Sequence, residues 1–249
     1  MVIASVFKNF FKKVINFVFP AQCIICKNFI ENDDGICFEC LNKIDFISEP
    51  RCAYCGYPFE IMFPNQKTKS NYFVCPHCLK SKPKFNKCLS VVRYNDASKK
   101  IILPFKHADK TNYARIMGKM MASTISPYKD KFDYIIPVPI HLKRMLKRKY
   151  NQSTLLANVI AKILKKPVLY NILIRNKFKE SQGHLSIKER KLNVKNSFMV
   201  KNNSIIKGKN ILIVDDVMTT GATLNECAKV LKHAGARKIF VATFARVVK

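Results

Sequence analysis

The chain has 249 residues, room for one medium domain and a small one but not for three. Apolar residues make up 48% of it, which excludes wholesale disorder, and no apolar run reaches the ~18–20 residues of a membrane span. Lys and Arg number 45 against 16 Asp and Glu, a net charge of +29, which favours polyanionic partners: nucleic acid, anionic lipid or phosphorylated small molecules.

Residues 1–20, MVIASVFKNFFKKVINFVFP, place Ile3, Phe7, Phe10, Phe11, Val14 and Val18 on one helical stripe. Lys8, Lys12 and Lys13 interrupt the apolar stretch and no small-residue cleavage site follows, so a signal peptide is not expected. An amphipathic helix over 1–20 has two readings. It packs on its own domain, or it visits the inner membrane face or a partner.

Eight of the ten cysteines then form four Cys-x-x-Cys pairs: Cys23/Cys26, Cys37/Cys40, Cys52/Cys55 and Cys75/Cys78. Without a secretory signal the expected location is the cytoplasm, where thiols favour metal over disulfides. Each turn aims two thiolates at one point, and two turns complete the tetrahedral shell of zinc. The simplest partition is sequential, the first two pairs making one site and the last two another; crossed pairing and His77 as a substitute ligand stay open. All-sulfur shells are closed, so about two structural zinc ions are expected in a module over 21–86. Apolar residues are sparse there, so metal supplies most of its folding energy. Cys88 and Cys227 have no near partner and read as buried thiols.

Residues 87–249 alternate strands and helices. Leu89–Tyr94 reads as a strand, followed by helices near 97–103 and 112–125 and a short strand at Tyr134–Val138. Asn151 or Ser153 caps a helix through Lys165, and Val168–Ile174 reads as a strand. Residues 175–197 are polar and weakly periodic, the pattern of a loop or lid. Asn210–Val214, a helix near 222–234 stopped by Gly235, and Lys238–Phe244 end the pattern. Such alternation predicts an α/β fold, a mainly parallel sheet covered by helices on both faces. No internal repeat is visible beyond the cysteine pairs.

The strongest chemical signal is ILIVDDVMTTGATL at 211–224. Ile211 to Val214 has the continuous apolar pattern of a central parallel strand. Asp215 and Asp216 follow at its C-terminal end, where such sheets bind ligands. Val217 and Met218 lead into Thr219, Thr220, Gly221, Ala222 and Thr223, a tight turn at a helix N-terminus that can cradle a phosphate. A phosphate beside two carboxylates suits a sugar phosphate or Mg²⁺.

This stretch resembles the phosphoribosyl pyrophosphate (PRPP) loop of type I phosphoribosyltransferases. The resemblance implies Asp215 and Asp216 on the ribose hydroxyls, as catalytic carboxylates, and the 217–223 turn around the 5′-phosphate, with Mg²⁺ accompanying PRPP. The cysteine pairs, then Ile136-Pro137-Val138-Pro139, Arg148-Lys149-Tyr150-Asn151-Gln152, and Ser181-Gln182-x-x-Leu185-Ser186 with Arg190 and Asn193, are similar to the ComF family. That family joins a double zinc ribbon to a phosphoribosyltransferase-like domain, here 87–249, and acts in DNA uptake during natural transformation. The implied partners are PRPP or a ribose 5-phosphate-type ligand, single-stranded DNA, and uptake machinery at the inner membrane face. Pro139, Arg144, Arg148, Lys177 and Arg190 are the expected pyrophosphate and lid residues, and Lys106 matches a basic position of the family.

Two departures stand out. Lys27 and Lys149 occupy places where the family usually has glycine. A left-handed backbone at Lys149 would be strained, so a loop of different shape is expected there. Two other functions remain open: a metabolic phosphoribosyltransferase acting on a free base or amine, and a zinc-ribbon scaffold with a non-catalytic PRPP site. Whether the chain is an enzyme is not decided by its residues, because none declares itself as the base for an acceptor.

Overall fold

The computed structural model describes residues 20–30, 35–60, 73–107, 110–141, 145–146, 149–176, 192 and 194–248. The helix expected at 1–20, apart from Pro20, and the candidates Arg144, Arg148, Lys177 and Arg190 lie outside them. Two compact units part between Ile44 and Asp45. The expected 21–86 module is therefore shared: its first cysteine quartet belongs to one unit, its second to the other.

In the first unit, Cys37 precedes a one-turn helix, α1 (Phe38–Asn42), which carries Cys40. In the second unit, Cys75 likewise precedes α2 (Pro76–Lys80), which carries Cys78. The likeness goes beyond the cysteines. Cys23 N–H donates to Asn28 and Cys52 N–H to Tyr57, each at 2.8 Å, while Cys23 and Cys52 carbonyls accept from Lys27 and Gly56, each at 2.9 Å. The N–H of Cys37 meets Cys23 Sγ, and that of Cys75 meets Cys52 Sγ, both at 3.4 Å. An internal repeat is thus present where the sequence shows only paired cysteines, because backbone hydrogen bonds rather than side chains define it.

The sheet consists of β1 (Lys87–Arg93), β2 (Tyr134–Pro137), β5 (Asn210–Met218) and β6 (Lys238–Arg246), in the order β1-β6-β5-β2 and all parallel. A smaller antiparallel pair joins β3 (Leu173–Arg175) to β4 (Phe198–Val200). Helices α3 (Asp96–His107), α4 (Tyr113–Ile125), α5 (Gln152–Leu164) and α6 (Ala222–His233) complete the α/β unit. Side chains alternate across a strand. Ile211 and Ile213 of β5 accordingly share a buried cluster with Leu224, Cys227, Ala228 and Leu231 of α6. Helices α4 and α5 supply their own buried stripes, Met117, Met121 and Ile125, then Leu156 and Ile160. The second cysteine quartet lies in the α6 cluster, beside Phe85, Cys88 and Met218.

Three elements differ from expectation. The strand expected at Val168–Ile174 meets the sheet only through Val168 opposite Ile135. Asn171 then turns left-handed at φ 59°, and the chain leaves to pair as β3. Helix α3 does not end at 103 but runs past Pro104. Pro104 has no N–H for the carbonyl one turn back, which costs about 3 kcal/mol inside a helix, but the terminal carbonyls find partners outside the helix: Phe105 accepts from Tyr150 Oη at 2.6 Å, Lys106 from Gln152 Nε2 at 3.5 Å. Strand β5 continues through the aspartates to Met218, because β6 stays paired with it as far as Arg246. Cys88 and Cys227 are buried as expected, and burial pushes both thiols up, which keeps them protonated and unreactive.

Candidate functional site

Each cysteine quartet gathers its sulfurs within 4.8 Å of one another, Cys23, Cys26, Cys37 and Cys40 in one, Cys52, Cys55, Cys75 and Cys78 in the other. The sequential partition is the one the fold makes. Tetrahedral bonds of about 2.3 Å set S···S edges of about 3.8 Å. Cys26 to Cys37 measures 3.7 Å and Cys55 to Cys75 3.6 Å, so both quartets fit a structural zinc ion. His77 belongs to neither group.

Arg246 of β6, 7% exposed, reaches the second quartet: one terminal nitrogen donates to Cys55 O at 2.7 Å, the other to Cys55 Sγ at 3.3 Å. Its guanidinium also lies 3.0 Å from Met218 Sδ. A Zn(Cys)₄ group carries a net charge of about −2, and a buried arginine beside it offsets part of that charge.

Asp215 and Asp216 sit near the C-terminal end of β5. Asp215 Oδ1 accepts from Ser153 Oγ and from the Asp216 N–H, each at 2.9 Å. Burial, with the Asp216 charge beside it, pushes the Asp215 carboxyl up to about 7. Asp216 pairs with Lys106 Nζ at 3.0 Å. Ser153 reads from sequence only as a cap, yet it holds a site carboxylate. The sequence signal for Lys106 is a family position alone; its pairing with Asp216 depends on α3 continuing past Pro104.

Beyond the acids, Val217 and Met218 finish the strand, and Thr219 and Thr220 lead to Gly221 at φ 74°. That left-handed angle favours glycine; a Cβ there would meet only the terminal methyl of Met218, at 2.6 Å, which would have to shift. Helix α6 begins at Ala222 without a side-chain cap; Ala222 N–H has Thr220 Oγ1 at a long 3.4 Å. The first N–H groups of an uncapped helix form an anion site. Thr223 lies in that first turn.

Pro139 follows β2, whose Pro137 is paired with Val214, so the 138–141 segment runs beside the acids. Asn151 fixes this segment: its Nδ2 donates to Val138 O at 3.0 Å while its Oδ1 caps α5 through Ser153 N–H at 3.0 Å. Tyr150, Asn151, Gln152 and Ser153 thus tie α3, the 138–141 segment and Asp215 together. Half-buried Arg175 stacks over Phe198 at 5.4 Å.

The loop at Lys149 does not change shape to avoid strain. Lys149 keeps φ 63°, and Lys27 φ 67° matches the equivalent Gly56 at 65°. The backbone hydrogen bonds around each turn outweigh a left-handed cost of about 1–2 kcal/mol. Lys149→Gly should therefore raise stability by about 0.5–1 kcal/mol, the strain relief exceeding the added unfolded-state entropy. A chemical-denaturation midpoint that falls in this variant would contradict that.

Residues 14–79 match the family described as Double zinc ribbon domain, and residues 150–248 the one described as Phosphoribosyl transferase domain. The chain is 32% identical over 240 residues to "Competence protein F" of Haemophilus influenzae, covering 94% of this chain and 100% of that relative. It is 29% identical over 213 residues to "Competence protein ComFC" of Bacillus subtilis, covering 83% and 81%. To "DNA utilization protein YhgH" of Shigella flexneri it is 26% identical over 235 residues, covering 92% and 98%. The zinc-fitting quartets stand ahead of an α/β domain of the type I phosphoribosyltransferase kind, and similarity to Competence protein F runs through both. The chain belongs to the ComF family.

Proposed function

We propose that this protein handles incoming single-stranded DNA in the cytoplasm during natural transformation, next to uptake machinery at the inner membrane face, and that its α/β unit binds PRPP or a related ribose 5-phosphate ligand. The observation that carries the ligand reading is the pair Asp215 and Asp216 on β5, followed at once by the uncapped N-terminus of α6 at Gly221. The helix end takes the 5′-phosphate through backbone N–H groups, and the carboxylates take the ribose hydroxyls. The competence and DNA-utilisation names of relatives matching nearly the whole chain support a role in DNA handling. The net charge of +29 supports phosphate contacts.

On this reading, single-stranded DNA binds mainly through its backbone, with little base preference. With about four to six phosphates neutralised at about −0.7 each in the log–log slope, affinity should fall tens- to hundreds-fold between about 50 and 200 mM salt. Fluorescence anisotropy with labelled oligonucleotides measures this. Reversing Lys143, Arg144, Lys147, Arg148 and Lys149 to Glu should flatten the slope; all but Lys149 lie outside the described residues. Absence of salt-dependent binding in the wild type, with pyrophosphate release from PRPP and a free base, would put the metabolic transferase first.

A further inference from the structure

The carboxylates of the site already face a cation that belongs to the chain. Lys106 Nζ lies 3.0 Å from Asp216 Oδ2, with 21% and 12% of the two side chains exposed. This lysine is not a loose surface group. It stands in the last turn of α3, where Tyr150 and Gln152 hold the carbonyls of Phe105 and Lys106 itself. The same stretch delivers Ser153 to Asp215, so one continuous segment sets both carboxylate contacts.

A protein-held magnesium ion fits this donor set poorly. Magnesium requires near-octahedral oxygen ligands at about 2.0–2.1 Å. Asp216 is engaged by an ammonium, and Asp215 Oδ1 already accepts two hydrogen bonds. No third His, Cys, Asp or Glu joins the pair to form a ligand group among the described residues. A divalent ion on Asp216 would also face the Lys106 charge at short range, a repulsion only weakly screened in a partly buried site.

We propose that Lys106 is the resident cation of this site, its ammonium neutralising the phosphate or pyrophosphate oxygens of the sugar phosphate where a protein-bound divalent metal would otherwise act. Asp216 holds the ammonium on one side and leaves its other oxygen for a ribose hydroxyl. The inference rests on the PRPP reading above and adds that binding does not depend on added magnesium.

Isothermal titration of the full chain with PRPP tests it, in buffer stripped of free divalent ions over chelating resin and again with millimolar magnesium chloride. Zinc content is measured in each sample. The wild type should bind in both buffers with affinities within about tenfold. Lys106→Met should lose about thirtyfold or more in the stripped buffer, as expected when one partner of a desolvated charge pair is removed, with magnesium restoring part of the loss. Lys106→Arg should stay close to the wild type in both, which keeps the test decisive if the Met variant folds poorly. Wild-type binding that appears only with magnesium, or a Lys106→Met variant as tight as the wild type without it, would overturn the role of Lys106 and leave the PRPP site standing. No PRPP binding in either buffer would overturn the site and this inference together.

Discussion

Cys55→Ser is expected to unfold residues 45–249 cooperatively, whereas Cys26→Ser leaves their sheet intact. Both remove one sulfur from a quartet, but the surroundings differ. Cys26 is exposed and lies in the unit ending at Ile44. Cys55 is 3% exposed within the cluster that holds Phe85, Cys88, Met218 and Leu224. Structural zinc contributes roughly 10–16 kcal/mol to its fold, comparable with the whole stability of a domain, about 5–15 kcal/mol. Losing the second ion would also leave the buried Arg246 beside thiols rather than a charged centre, which costs further free energy. Zinc per chain and amide exchange over β5 and β6 measure the outcome. Each variant should lose about one zinc ion; only Cys55→Ser should lose protection in β5 and β6. Equal protection in both would mean the second quartet is not part of the α/β core.

Asp216→Asn is expected to lower PRPP affinity by about thirtyfold or more, since a carboxylate that holds both a ligand and a lysine is replaced by a neutral amide. Far-UV circular dichroism and zinc content should stay at wild-type values, because Asp216 bonds neither quartet and its ion-pair partner is on α3. Affinity for single-stranded DNA should also hold, as the loss of one carboxylate adds no phosphate contact at the basic run. Unchanged PRPP affinity in this variant would move the ligand away from β5.

What the chain reveals without its structure is whatever repeats locally. Cys-x-x-Cys spacing announces two metal sites, the apolar run of β5 followed by two aspartates and a glycine turn announces a ligand site, and alternating periodicities announce a parallel sheet with helices. Each signal involves neighbours along the chain. The tertiary structure decided the rest. The helix expected near 97–103 continues as α3 past Pro104 to His107, where Tyr150 and Gln152 bind its last carbonyls, and this continuation brings Lys106 to Asp216. Lys149 reads as incompatible with a left-handed turn, yet it adopts one because the surrounding contacts outweigh the local cost. The second quartet reads as half of a separate ribbon module, yet it joins the α/β core through Arg246, 191 positions from Cys55. Local periodicity follows from backbone geometry and is written in consecutive residues. Charge pairing and core sharing depend on which segments the folded chain brings together, and no window of sequence contains both partners.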